Sequence, residues 1–329
     1  MRELSYREAI TEALTEEMRR DPTVYVMGED VGIFGGLVGA TIGLIEEFGP
    51  ERVLETPISE PGFVGASVIA AVRGFRPVLE MGLADVLLTA MDHVVTSAAK
   101  MAYLYDGRAS APMVFRVSSG FRPSGGPMMS LSNEAMFAHV PGLKVVMPST
   151  PYDVKGLLKS SIRDDNPVVF FEPKRLYATW GAVPPTDYTI PLGIAEVKRE
   201  GVDVTVVAIG AMVPRALAAA SVLATEGISV EVVDPRTLRP LDLDTIAASV
   251  RKTGRVIIVH EANTIGGIGG EIAASLADIA FPSLEAPIKR LGALETPIPM
   301  SPTMERLVVP TEEAIREAVT SLLVGTPAD

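Results

Sequence analysis

The chain has 329 residues, more than one domain usually holds, so two domains are the default expectation. It carries 41 acidic against 29 basic residues, a net charge of −12, which excludes general nucleic-acid binding and permits a basic protein partner. Cysteine is absent, which excludes disulfides, thiolate catalysis and cysteine-ligated metals. Hydrophobic residues make up 47% and aromatics only 5%, the composition of Val-, Ile-, Leu- and Ala-rich parallel strands buried under helices. The N-terminus shows no apolar signal region, and no run reaches the ~18 apolar residues of a spanning helix. A cytoplasmic protein with no membrane partner is expected.

Ser5 to Arg20 predicts an amphipathic helix, with Ser5 as cap, Glu8 completing a capping box, and Ile10, Leu14 and Met18 on one face. Asp21-Pro22 stops it. A buried strand over 23–28 ends at Gly28-Glu29-Asp30. The glycine-rich stretch 31–43 has neither the Gly-x-Gly-x-x-Gly spacing nor a Walker-type Gly-Lys-Ser/Thr, and reads as a flexible loop at a sheet edge. A short strand ends at Leu54. Thr56-Pro-Ile58-Ser-Glu60-Pro follows, and then a helix from about Gly62 to Arg73 through Gly65, Ala66, Ser67, Ala70 and Ala71. Small residues let a backbone or a flat ligand approach, and a carboxylate at a strand-to-helix turn lies at the open edge of an α/β sheet. On the residues alone, Glu60 reads first as a first-turn acid complementing the helix dipole.

A strand over 76–81 precedes one long helix over 84–105, carrying Asp85, Asp92 and His93. Next come a strand over 112–117, a loop over 118–127, a helix over 132–139, a strand over 143–147, a helix over 151–163 and a strand over 167–171. The proline-rich stretch 172–191 reads as the crossing between domains, dividing the chain into 1–180 and 181–329. The second part restarts the alternation, with strands near 203–209, 229–234, 255–260 and 288–291. Its helices fall near 214–226, 242–252, 269–279 and 311–323. The fold class is α/β, with two doubly wound domains.

The three histidines, His93, His139 and His260, are acid/base candidates, and each also has a structural reading. His93 suits a helix face, His139 a helix C-terminus, and His260 ends a strand ahead of the turn Gly266-Gly-Ile-Gly-Gly270. Ser161-Ile-Arg-Asp164-Asp-Asn166 is a helix exit, where orphan carbonyls beside acids suit either a hard cation or a plain C-cap. The residues alone give an acidic two-domain α/β protein with an acid at a sheet edge, and no reaction.

Ordered motifs then add a family. They include Met27-Gly-Glu-Asp-Val31, Thr56-Pro-Ile-Ser-Glu60, Gly74-Phe-Arg-Pro-Val78, Ser97-Ala-Ala-Lys100, His139-Val-Pro-Gly-Leu-Lys-Val-Val146, Asp164-Asp-Asn-Pro-Val168 and Arg236-Thr-Leu-Arg-Pro-Leu-Asp242. With these the chain resembles the beta subunit of the decarboxylating component of 2-oxo acid dehydrogenase complexes, of the pyruvate and branched-chain types. Phe170-Phe-Glu-Pro-Lys174 and His260-Glu-Ala262 look closer to the branched-chain type. The resemblance implies a transketolase-like pyrimidine-binding domain followed by a transketolase C-terminal domain. It implies thiamine diphosphate as cofactor, an alpha subunit in an alpha2beta2 heterotetramer, and delivery of the acyl group to a lipoylated acyltransferase core. The alpha subunit of the family holds the diphosphate and Mg²⁺ through a Gly-Asp-Gly…Asn motif, which this chain lacks. Glu60 matches the acid that hydrogen-bonds the aminopyrimidine ring nitrogen, with Glu29, Ile58, Gly82 and Val86 as cofactor neighbours. Met113, Ser161, Ile162, Asp164 and Asn166 match positions that bind a structural K⁺ in some members.

The sequence departs from the family at several points. The histidine expected ten residues before His139 is Met129, which cannot shuttle protons in acyl transfer. The aromatic after Asp85 is Val86, the glutamine after Asp92 is His93, and an aromatic near Met300 is missing. The leading expectation is an oxidative decarboxylase, with the missing histidine replaced by His93, His260 or the alpha subunit. The alternatives are a non-oxidative paralogue making or cleaving carbon–carbon bonds, and a non-catalytic scaffold, against which the retained Glu60 argues.

Overall fold

Ser5 accepts the Glu8 N–H at 3.2 Å while the Glu8 carboxylate accepts the Ser5 N–H at 2.7 Å, and the helix runs Tyr6–Arg20 from that box. Ile10, Leu14 and Met18 are buried along it. Its other buried neighbour is the helix Pro151–Arg163, whose Lys155 and Lys159 are fully enclosed and ion-paired to Glu12, Glu16 and Asp187. The structure, a computed structural model, describes residues 1–324. These form two units: Met1–Gly120 with Met136–Leu192, and Phe121–Ala135 with the chain from Gly193 onward.

The first unit is built on parallel strands in the order Lys144–Val146, Val168–Pro173, Val114–Ser119, Arg76–Leu83, Val24–Gly28, Val53–Glu55. These strands are almost continuously apolar and buried, as a sheet covered on both faces requires. The second unit holds a five-stranded sheet in the order Lys289–Ala293, Val256–Asn263, Val204–Ala208, Val230–Asp234, Glu196–Arg199. Its last strand is antiparallel and lies at the edge.

Three sequence-based expectations are corrected. The stretch 172–191 is not simply a crossing, because Trp180–Val183 pairs antiparallel with Arg2–Ser5 and clasps the start of the chain. The long helix over 84–105 is broken into a helix Ala84–Leu87, a 3₁₀ turn Leu88–Ala90, a π-helical segment Asp92–Ala98 and a helix Met101–Leu104. The wide turn presses His93 against the helix Glu60–Val72 at Gly65, where a Cβ would stand 2.9 Å from the imidazole. The helix expected over 132–139 is shorter, Glu134–Ala138. Among the described residues no helix is long and apolar enough to cross a membrane.

Ser5→Ala removes the hydroxyl that accepts the Glu8 N–H while the Ser5 N–H still reaches the Glu8 carboxylate, and it is expected to destabilise the first unit by about 1 kcal/mol, read as a lower thermal midpoint. An unchanged midpoint would show that the Ser5 hydroxyl contributes nothing.

Candidate active site at the carboxyl edge of the first sheet

In the first unit the chain begins on Val24–Gly28, moves outward to Val53–Glu55, and crosses back to Arg76–Leu83 on the other side. This reversal opens a crevice at the carboxyl ends of the two inner strands, the place where open α/β sheets bind ligands. Glu29 follows the first of these strands. Gly82, with φ +65°, lies near the end of the second, and Val86 sits half-buried on the helical turn after it. Glu60 opens the helix Glu60–Val72 beside them.

Glu60 is 7% exposed and has no hydrogen-bond or ion-pair partner among the described residues. Glu29 is half-buried. Burial pushes its carboxyl above the usual range, and the neighbouring Glu60 and Asp30 carboxylates push it further. The two acids therefore share one field. A buried carboxylate without a donor is unfavourable unless something else supplies one. Ile58 projects from the turn before Glu60, 81% exposed.

Behind this pair lies a buried ion cluster. Arg116, 1% exposed, donates from Nη1 to Glu80 Oε2 at 3.0 Å and from Nε and Nη2 to Glu172 at 2.7 and 3.1 Å. The Tyr177 hydroxyl donates to Glu172 at 2.7 Å. Burial pushes the Glu80 carboxyl up while Arg116 pulls it back, and burial beside Glu172 raises the Tyr177 hydroxyl well above its ordinary value. These residues escaped the sequence reading, although each is a charge inside an otherwise apolar strand: Val78-Leu-Glu80, Phe115-Arg116-Val and Phe170-Phe-Glu172. The carboxyl edge thus collects Glu29, Glu55, Glu60, Glu80 and Glu172, of which Arg116 pairs with the last two, a field that suits a cationic ring better than an anion.

The residues considered for a cation lie at the opposite, amino edge of the same sheet. Met113 precedes its strand, and its carbonyl accepts the Val168 N–H at 2.9 Å. The carbonyls of Ile162 and Asp164 accept Arg76 Nη1 at 3.1 and 2.9 Å, and that of Ser161 accepts the Asp164 N–H at 3.3 Å. The Asp164 carboxylate pairs with Lys144 and accepts the Asn166 N–H at 2.9 Å. The five positions gather around a helix exit already served by the Arg76 guanidinium. No group of three or more His, Asp or Glu poised to hold a metal occurs among the described residues.

The histidines are scattered. His93 lies half-buried against Gly65, and His139 is exposed where its helix ends. His260 is fully buried in the second unit. Its Nδ1–H donates to the Ala262 carbonyl at 3.0 Å, and Gly267 and Gly269 wall in its partnerless Nε2. Burial pulls His260 down to about 4, so it stays neutral at physiological pH and has no open path to a reacting atom. Met129 is 43% exposed on a segment belonging to the second unit.

Two domain families match the chain: the transketolase pyrimidine binding domain over residues 2–179 and the transketolase C-terminal domain over 193–315. The beta subunit of 2-oxoisovalerate dehydrogenase from Bacillus subtilis (strain 168) is 46% identical, across 97% of this chain and 98% of that protein. The chain belongs to the transketolase-like family of dehydrogenase beta subunits. Further relatives from the same organism are the beta subunit of acetoin:2,6-dichlorophenolindophenol oxidoreductase, 46% identical over 99% of both chains, and the beta subunit of the pyruvate dehydrogenase E1 component, 44% identical over 98% of this chain and 99% of that protein. A solved split gene transketolase, an inactive beta4 tetramer, superposes with a TM-score of 0.81 over 98% of both chains. At 23% identity it shows the shared fold alone. Membership of this family brings dependence on thiamine diphosphate and an alpha partner.

One group outside the crevice makes stability depend on pH. Glu134 is buried, its Oε2 has no partner, and burial pushes it from 4.5 up to about 7. Its folded value lies above its unfolded one, so its contribution is full below about pH 4.5 and lost as pH rises through about 7. Glu134→Gln, permanently neutral, is expected to stabilise the protein at pH 8 by about 3 kcal/mol and far less at pH 5. Equal shifts in unfolding midpoint at the two pH values would contradict this.

Proposed function

We propose that this chain is the pyrimidine-side beta subunit of a cytoplasmic enzyme that oxidatively decarboxylates a 2-oxo acid and passes the acyl group to a lipoylated acyltransferase. The assembly is an alpha2beta2 heterotetramer, and the substrate is a branched-chain 2-oxo acid or pyruvate. The observation that carries the reading is Glu60, a nine-tenths-buried carboxyl at a sheet switch point with no hydrogen-bond partner among the described residues. An aminopyrimidine ring nitrogen is the kind of partner such a group lacks.

Thiamine diphosphate, when bound, supplies the nucleophilic carbon and the electron sink for loss of CO₂. Glu60 holds a proton at the pyrimidine ring nitrogen and thereby tunes the basicity of the exocyclic amine. Glu29, whose carboxyl is pushed up by burial and by Glu60, stands beside it as a second acid at the crevice. The left-handed Gly82 keeps a side chain from crowding a flat ring. Ile58 and Val86 give the rim of the crevice an apolar character. This chain has no Gly-Asp-Gly segment, so Mg²⁺ and the diphosphate fall to the alpha subunit. A structural K⁺ at Met113, Ser161, Ile162, Asp164 and Asn166 would share carbonyls with Arg76 and act on stability rather than chemistry. With Met129 at the histidine position and His260 closed off, His93 is this chain's own acid/base candidate for the acyl-transfer stage, alongside groups of the alpha subunit.

Co-expression with the alpha partner tests the reading, using branched 2-oxo acids and pyruvate with thiamine diphosphate, Mg²⁺ and lipoylated acyltransferase. Turnover with acyl transfer is expected. Activity on acetoin but not on 2-oxo acids, or decarboxylation without acylation of lipoyl, would overturn it. Glu60→Gln is expected to lower kcat by about 10²-fold or more while the assembly still forms. Unchanged turnover would remove Glu60 from the mechanism.

A further inference from the structure

Residues 31–43 carry glycine at 32, 35, 36, 39 and 43, so the segment offers little side-chain packing and must be fixed through its backbone. Two carboxylates do this. Glu55 accepts the N–H groups of Gly32 and Ile33 at 3.0 and 3.2 Å, and Glu80 Oε1 accepts the Leu37 N–H at 2.9 Å. One residue earlier, the Gly36 N–H donates to the Asp30 carbonyl at 2.7 Å, closing the loop onto the turn that holds Glu29. The approach to Glu80 requires glycine at 36: φ is +75°, and a Cβ there would stand 2.1 Å from Glu80 Oε1.

Glu80 works as a fixed acceptor only while its carboxylate is oriented and charged in an interior that opposes charge. Arg116 supplies both conditions. Its Nη1 takes Glu80 Oε2 and leaves Oε1 for Leu37, while Nε and Nη2 clamp Glu172, which the Tyr177 hydroxyl also holds. We propose that Arg116 is a positioning residue for Glu29, acting through Glu80 and the backbone of residues 30–37, and so sets how tightly the crevice holds thiamine diphosphate. The inference rests on the reading of that crevice as the cofactor site. The relay touches no reacting atom, so its effect falls on cofactor binding more than on turnover at saturation.

The test compares wild type, Gly36→Ala, Arg116→Met and Arg116→Lys, each co-expressed with the alpha subunit. Hydrogen exchange of residues 30–40 is followed without cofactor, and kcat and the KM for thiamine diphosphate are measured. Gly36→Ala keeps Arg116 and Glu172 and forces the loop and the Glu80 carboxylate apart, so it carries the test if Arg116→Met fails to assemble. In Gly36→Ala and Arg116→Met the loop amides are expected to exchange about 10-fold faster or more, with KM raised about 10-fold and kcat changed less than about 3-fold. Arg116→Lys, which keeps the charge but not the fork, should fall between them and wild type. Unchanged protection in Gly36→Ala, or a fall in kcat at constant KM, would overturn the relay. If the wild-type assembly does not respond to thiamine diphosphate, the cofactor reading fails, and the exchange data still decide whether Arg116 and Gly36 fix the loop.

Discussion

Arg116 is enclosed between Glu80 and Glu172 within three neighbouring strands, and much of the site depends on that arrangement. Burying three charges is unfavourable, and only close, well-aligned hydrogen bonds offset it. Removing one partner from such a cluster typically costs about 3–5 kcal/mol, because the others stay buried and unpaired. Replacing all of them with apolar residues is often neutral, so the cluster's value lies in geometry. Here the geometry fixes one oxygen of Glu80 toward a glycine-rich loop, and that loop begins at Glu29.

From this constraint follows the character of the edge. Acids end or follow several adjacent strands, and the guanidinium among them is spent on two of those acids. The edge offers no phosphate cradle, neither a Gly-Lys-Ser/Thr loop nor a Gly-Asp-Gly segment. It can seat a flat cationic heterocycle and hold a proton on it, but not a diphosphate with its metal. The apolar residues displayed around the edge are consistent with completion by another chain: Ile33, Phe34, Leu37 and Ile58 are all exposed.

Much of the fold was legible because buried parallel strands and capped helices leave strong local patterns. The Ser5–Glu8 box and the Val24–Gly28 strand are examples. What escaped was set by distant partners. Trp180–Val183 is a strand because Arg2–Ser5 lies beside it, and the break at Asp92–Ala98 accommodates contact with Gly65. In the site, Glu60 and Glu29 were visible through family motifs, and their placement at one switch point required the sheet order. Arg116, Glu80 and Glu172 stand at positions 36 and 56 residues apart, so their ion pairs have no local signature. The isolated charge in each apolar strand was the available clue. His260 looked open to catalysis at a strand end, and the glycines that seal it are visible only in three dimensions.

The carboxyl of Glu60, without a donor among the described residues, is proposed to pair with the pyrimidine ring nitrogen. Calorimetric binding of thiamine diphosphate and of its analogue with that nitrogen replaced by CH, to wild-type and Glu60→Ala assemblies, tests it most directly. The account predicts that the analogue loses affinity on the wild type and that this loss disappears in Glu60→Ala, because the two changes remove the same hydrogen bond. An equal loss on both proteins would show that Glu60 does not touch that nitrogen.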